Sequence, residues 1–433
     1  MKKLIIGLII ILLIICAALS LFYIRQLSSQ KPNITWISLD TQRAQSLEIY
    51  GNEIETSPFL KDFANKNIIF EKDYAQSSVT WTSHFSMLSS LYPIKHEILD
   101  PIPVAPAKRN VKMAAQYFKE LGYETFLAGT FHGNNFFRIG FGIERGFDYI
   151  LPFDALRSYE LTISKIKEVL SFKKPFFVFL HTYIVHGPYN LEDQYFEKYR
   201  FPYNGNVPLT QSDWIKKFNK PITENNKQEF ENFVADNFFS VVDLNNAEDI
   251  KRIKGAYYAA MNYQDHQLGE LFKELKKTIP NFDKTIIVIT ADHGESFGEN
   301  NIISHASYYQ SNLWVPLVMR VPGYSKVRIK TPVRSIDILP TLLELAGGKG
   351  SSYIDGKSFT YLFKAPDTAQ HYNEAFAQKS NRYVVFKDGW KYFYVDGKKE
   401  ALYDLQSDPQ EEHNLIETEP DKAFKMRSLI VNY

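Results

Sequence analysis

Five short runs without a charged residue constrain this chain most, at 33–39 (Asn-Ile-Thr-Trp-Ile-Ser-Leu), 126–128, 176–180, 285–290 and 315–319. A run that is apolar throughout, rather than at every second position, has to be buried on both faces, as a strand inside a parallel sheet is. Helical patterns separate the runs, at 57–66, 111–121, 160–170, 250–277 and 338–345. Strand alternating with helix predicts an α/β fold, a doubly wound, mostly parallel sheet with helices on both faces. The functional groups of such a sheet gather at the carboxyl ends of its strands.

From about residue 380 the pattern changes. Runs at 382–387, 390–395 and 401–405 are separated by Asp388-Gly389 and Asp396-Gly397, dipeptides suited to two-residue hairpin turns because both positions need a positive φ. They predict a small antiparallel subdomain. The chain then divides into a membrane anchor (1–25), a linker (26–32), a catalytic domain (33–370) and a C-terminal α+β subdomain (371–433). The anchor is read from residues 4–23, an uncharged and almost wholly apolar run after Lys2 and Lys3, about as long as a transmembrane helix. A cleaved signal peptide is the rival, with small residues at Ala18 and Ser20, but the apolar run continues past them. With the lysines retained inside, the chain is a single-pass membrane protein whose catalytic domain lies outside the cytoplasm. The stretch 190–246, rich in Asn, Lys and aromatics without a clear period, reads as an irregular excursion near the substrate site.

Composition narrows the chemistry. The 50 Lys and Arg residues balance 49 Asp and Glu, so no long-range field draws the chain to nucleic acid, and a polyanion binder is not expected. Its one cysteine, Cys16, excludes an intramolecular disulfide, a Cys-rich zinc site and a catalytic dithiol. Oxygen and nitrogen groups remain, and three strand ends carry them: Asp40 after the first run, His181 and His186 after the third, Asp292 and His293 after the fourth. Singly, each would be read as a cap or a satisfied core polar group. Gathered at one sheet edge they form a hard-to-borderline site for Mn2+, Zn2+, Mg2+ or Ca2+. Residues 77–88 (Ser-Ser-Val-Thr-Trp-Thr-Ser-His-Phe-Ser-Met-Leu) are hydroxyl-rich and lead into a helical pattern. Thr80, near the positive end of that helix, is a candidate nucleophile.

Residues 33–51, Thr56-Ser57-Pro58-Phe59-Leu60, 80–93, the His-Gly-Pro-Tyr turn at His186, Asp292-His293-Gly294-Glu295 and Asp337-Ile338-Leu339-Pro340-Thr341 resemble, in order and spacing, the successive blocks of the sulfatase family in the alkaline phosphatase superfamily. Residues 391–415 are similar to that family's small C-terminal subdomain. The resemblance implies Asp40, Thr80, Asp292 and His293 as ligands of one divalent metal ion, Mn2+ or Zn2+ ahead of Mg2+ or Ca2+ because of the imidazole. It implies Thr80 as nucleophile, and His186 and His305 as groups that contact the transferred anion or protonate the leaving group. His84 and His181 are expected on the substrate.

Two departures shape the expected activity. Formylglycine sulfatases carry Cys or Ser at the nucleophile and arginine four residues later, where this chain has Thr80 and His84. The usual acidic pair after the first strand is Asp40-Thr41, one carboxylate short, which points to one ion rather than two. Threonine is similar to the family's phosphoglycerol and phosphoethanolamine transferases, so phosphoester cleavage or transfer is placed ahead of sulfuric ester hydrolysis, on a substrate such as a lipid headgroup or surface glycan. Two other readings stay open. Gly294-Glu295-Ser296-Phe297-Gly298 satisfies the Gly-x-Ser-x-Gly pattern of serine hydrolases, with Asp337 and His371 downstream. A catalytically inactive binding module would leave Thr80 as a mere helix cap.

Overall fold

The uncharged runs become neighbours in one large sheet. The computed structural model describes residues 31–430, apart from 100–104, 130–139, 190, 306, 369–370, 373 and 396–398. The apolar run at 4–23 therefore lies outside the described residues, and among those described no helix is long and apolar enough to cross a membrane. The strands of the body are β1 (Ile34–Leu39), β2 (Ile68–Tyr74), β3 (Glu124–Gly129), β4 (Tyr149–Leu151), β5 (Phe176–Thr182), β6 (Ile286–Thr290), β7 (Ser296–Phe297), β8 (Ile303–Ser304), β9 (Trp314–Arg320), β10 (Val327–Ile329) and β11 (Val333–Arg334). Nine of them form a sheet of order β10-β2-β9-β6-β1-β5-β3-β4, with β11 also on β2, while β7 and β8 pair separately. Within the nine-stranded sheet the pairings are parallel except those of β9, which runs against both β2 and β6.

Period two sorts the central strands onto two cores. Ile37, Leu39, Val178, Leu180, Ile287 and Ile289 face a cluster that includes helix Ala247–Thr278. Ile34, Trp36, Phe177, Phe179, Ile286 and Val288 face the opposite one, with helices Thr80–Ser89 and Ile338–Leu345. The expected doubly wound sheet is therefore present. Its unexpected member is β2, where Glu71, Lys72 and Asp73 interrupt the apolar pattern and pairing with β9 and β10 supplies the strand. The stretch 190–246 is not irregular: it holds helices Gln211–Phe218 and Lys227–Asn237 and a 3-10 turn at Asp193–Tyr199. Their apolar contacts, Phe196, Tyr199, Trp214, Phe230, Val234 and Phe238, fall about one to a turn, too sparse to set a period against the surface Asn and Lys.

The C-terminal strands β12 (Ala375–Lys379), β13 (Arg382–Lys387), β14 (Trp390–Val395) and β15 (Lys399–Asp404) form the expected antiparallel sheet in that order. Asp388 and Gly389 take φ of 53° and 82°, as the two-residue turn requires. One face of this sheet receives Ala423 and Met426 of helix Pro420–Ile430. The other packs on Tyr74, Tyr308, Tyr309 and Leu313 of the body.

Candidate active site

Strand register decides what meets at the sheet edge. Ser38 of β1 pairs with His181 of β5 on one side and Thr290 of β6 on the other, so one row reads Thr290, Ser38, His181. Asp40 and Asp292 follow two residues beyond that row, just past the ends of adjacent strands. Helix Thr80–Ser89 is fastened over them by the Ser83 hydroxyl, which donates to the Asp292 carbonyl at 2.6 Å and leaves Thr80 as the first residue of the helix. A Cβ at Gly294 would lie 2.1 Å from the Ser311 carbonyl oxygen, so the loop that carries Asp292, His293 and Glu295 passes only as glycine.

Asp40, Asp292 and His293 each offer a ligand atom within 4.8 Å of the others, and His84, His181 and Asp292 form a second such set. Both Asp40 oxygens and Asp292 Oδ2 are buried without a hydrogen-bond donor. Carboxylates left so cost several kcal/mol unless a counter-charge arrives, so the donor set fits a divalent cation. Burial, then the Asp292 charge, pushes the Asp40 carboxyl well above its ordinary range. Burial works on Asp292 too, but the imidazoles of His293, His84 and His181 outweigh it and hold that carboxyl low.

Carbonyl oxygens only accept, and this fixes the imidazole tautomers. His293 Nδ1 lies 2.9 Å from the Gly294 carbonyl, so Nδ1 carries the proton and the Nε2 lone pair faces the Thr80 hydroxyl at 3.2 Å. His84 Nδ1 lies 2.8 Å from the Thr80 carbonyl, and its Nε2 accepts from the Ser38 hydroxyl at 3.0 Å. Burial drives His84 down to about 4, so it is neutral where formylglycine relatives hold a permanent cation. His181 Nε2 stands 3.3 Å from Asp40 Oδ2. His84 and His181, expected on the substrate, lie at 0% and 1% exposure, as deeply buried as Asp40 and Asp292.

His186 and His305 are only partly buried and stand at the mouth, rings 5.0 Å apart, with His305 also 4.9 Å from the His293 ring. His186 donates Nδ1 to the Gly187 carbonyl at 2.6 Å and stacks on Tyr183. His305 Nδ1 is 3.4 Å from Glu295 Oε1. Burial would lower the His305 imidazole, but the charge and hydrogen bond of Glu295, with Asp40 and Asp292 behind, raise it above its ordinary value. The structure thus brings Asp40, Thr80, His84, His181, His186, Asp292, His293 and His305 into one cluster. Glu295 and Ser38 were missed: Glu295 stands three residues after Asp292 in a block already singled out, whereas Ser38 needs the register. Ser296 is buried and bonded to Ser311 Oγ at 2.7 Å and Asn312 Nδ2 at 3.2 Å, not to an imidazole. His371 sits instead 3.3 Å from Asp337, so the serine-hydrolase alternative has no triad.

A hydroxyl above buried carboxylates and imidazoles, on the carboxyl edge of a parallel sheet, is an arrangement suited to metal-assisted ester hydrolysis. The sulfatase family model matches residues 32–348, and the model described as N-sulphoglucosamine sulphohydrolase, C-terminal, matches 298–429. The chain belongs to the sulfatase family, metal-dependent hydrolases of sulfuric ester bonds. It is similar to the ulvan-active sulfatase of Formosa agariphila, 25% identical over 92% of this chain and 78% of that one. Its fold is that of a protein solved in complex with its substrate D-glucosamine-2-N,6-O-disulfate (TM-score 0.74, 18% identity, 93% and 97% of the two chains). It is also that of the phosphonate monoester hydrolase of Agrobacterium radiobacter (TM-score 0.72, 18% identity, 93% and 95% of the two chains).

Proposed function

We propose that this protein hydrolyses a singly charged ester, in the first place a sulfate monoester, by attack of the Thr80 oxygen. The observation that carries the reading is the Thr80 hydroxyl 3.2 Å from the His293 lone pair, beside carboxylate oxygens that have no donor. Asp40, Thr80, Asp292 and His293 would hold one divalent ion, with Mn2+ or Zn2+ favoured by the imidazole. When bound, that ion eases loss of the Thr80 proton and screens the anionic ester.

The Thr80 oxygen, its proton released to solvent, bonds to sulfur as the bond from sulfur to the leaving oxygen breaks. His305, whose hold on its proton Glu295 strengthens, passes that proton to the leaving oxygen. Water then attacks the sulfated threonine, sulfate departs, and the Thr80 hydroxyl and the His305 proton are restored. Charge selects the ester: Asp40, Asp292 and Glu295 are met by imidazoles alone, with no Lys or Arg ion-paired to them among the described residues. Among the described residues a dianionic phosphate monoester meets no Lys or Arg paired with these carboxylates to take its second charge, whereas a sulfate monoester, a phosphodiester or a phosphonate monoester each carries one.

Threonine alone placed phosphoester chemistry first; the sulfatase match over most of the chain reverses that order. Phosphodiester or phosphonate monoester cleavage remains the second reading because Thr80 cannot become an aldehyde, and a phosphothreonine can be resolved by water or an acceptor hydroxyl. Aryl sulfates, aryl phosphonates and bis-aryl phosphates assayed on metal-loaded protein rank the two, and mass spectrometry should find the adduct on the peptide containing Thr80. Turnover indifferent to chelation would remove the metal from the reading. The run at 4–23 would hold the enzyme at a membrane with its site outside, within reach of surface glycans and lipid headgroups. Protease treatment of intact cells should then release the catalytic body.

A further inference from the structure

The pocket that opens beside His305 is walled on its far side by the C-terminal sheet, and register fixes what that wall carries. Lys379 pairs with Arg382, Arg382 with Val395, and Val395 with Lys399. Directly paired residues point to the same side, so one row across the four strands reads Lys379, Arg382, Val395, Lys399. The next row on that side, Ala377, Val384, Phe393 and Ala401, is packed into the body. The cations therefore stand where this face leaves the body. There a cavity of about 380 Å3 is lined by Arg382 and Lys399 together with His305, Ser307, Tyr308 and Phe393.

The Arg382 guanidinium lies 5.8 Å over the Tyr308 ring and the Lys399 ammonium 5.7 Å over Phe393. Both side chains are exposed, and neither pairs with a carboxylate among the described residues. Like charges in one row of a sheet repel, and a formal net charge of +1 for the whole chain hides their concentration here. The volume admits one sugar unit, and His305, which lines it, stands with its ring 4.9 Å from that of His293 in the catalytic cluster.

We propose that this row is a second anion subsite, binding a sulfate or carboxylate on the sugar unit next to the one that carries the scissile ester. The substrate is then a polyanionic oligosaccharide rather than an isolated monoester. This rests on the reading that the His305 pocket is catalytic. Arg382→Gln/Lys399→Gln, away from Thr80 and the carboxylates, should keep kcat/KM for a small aryl sulfate within about twofold. On tetrasaccharides of heparin, chondroitin sulfate and carrageenan, the best substrate should lose about 30- to 100-fold, mainly through KM, and the salt dependence of its turnover should flatten.

Binding supplies an arm independent of turnover. The Thr80→Ala protein should bind the same tetrasaccharide in calorimetry, and adding the two substitutions should weaken that binding about tenfold or more. Equal losses on aryl sulfate and oligosaccharide, no binding of any of the three tetrasaccharides, or loss of binding to anionic lipid vesicles alone would overturn the proposal. A native protein that binds the tetrasaccharide through Arg382 and Lys399 yet cleaves no ester would sink the catalytic reading and leave the subsite standing.

Discussion

Asp337 and Asp40 are both completely buried, yet one is hydrogen-bonded at both carboxylate oxygens and the other at neither. Asp337 receives Arg334 Nε at 2.9 Å and a terminal guanidinium nitrogen at 2.7 Å, the Arg334 amide at 3.0 Å and the Lys357 amide at 2.7 Å. Burial would raise its carboxyl, but the Arg334 charge outweighs burial and holds it down at about 2. Asp40 has no hydrogen bond to either oxygen, and its carboxyl is pushed up. The contrast teaches how to sort buried carboxylates. One whose lone pairs are filled ties elements together, here the C-terminal end of the body; one left unfilled is prepared for a cation that the fold itself does not contain.

The sharpest separation is expected in catalysis. Thr80→Ala should lower kcat by about a thousandfold or more while its unfolding midpoint stays close to the parent's, because one small hydroxyl is lost and the carboxylates remain. Full activity would detach the unfilled cluster from the chemistry. In stability, Asp337→Asn leaves the Arg334 guanidinium buried with a neutral partner and should cost about 3–5 kcal/mol in urea unfolding. A loss below about 1 kcal/mol would mean that the filled cluster is not structural.

The pH dependence of stability follows from the same carboxyl. With a folded value near 2 against 3.8 unfolded, Asp337 contributes fully above pH 3.8 and loses its contribution, roughly 2 kcal/mol, as pH falls toward 2. The Asp337→Asn protein should lack that limb. Asp40→Asn, the same chemical change, should act in the opposite direction: in chelator-treated protein it should raise stability by about 1–2 kcal/mol while abolishing metal uptake. A fall would show that Asp40 already has a partner. Smallest is the effect of Glu295→Gln, which removes the charge that raises His305. The proton donor is lost as pH rises through the His305 value, so without the Glu295 charge the alkaline limb of kcat should move to lower pH. An unmoved limb would assign the proton to another group.

The strands at the centre of the sheet were legible because burial on both faces leaves no room for charge, and the hairpin at Asp388-Gly389 because few residues tolerate two positive φ values. Asp40, Asp292 and His293 were legible for the complementary reason: polar residues stand out where such runs stop. What escaped depends on partners distant in sequence. β2 contains Glu71, Lys72 and Asp73 and becomes a strand through its neighbours; Ser38 acquires a role only when His84, 46 residues away, reaches it. His84 and His181 were recognised as belonging to the site, but their complete burial beside the carboxylates is a property of packing. The row that joins Arg382 to Lys399 exists only once three strands are in register.

His84 also bears on how such sites diversify. Its ring is held at both nitrogens, by the Ser38 hydroxyl and the Thr80 carbonyl, with no exposed surface. An arginine there would bring a longer side chain and an obligate charge into a space that now accepts a flat neutral ring, while leaving Ser38 without its acceptor. A lineage or a mutagenesis library moving between this threonine site and the arginine-bearing kind therefore cannot cross by exchanging position 80 alone. Substitutions at 38, 80 and 84 should be strongly epistatic, and the intermediates with one or two of them changed are the variants most expected to disappear from a selection.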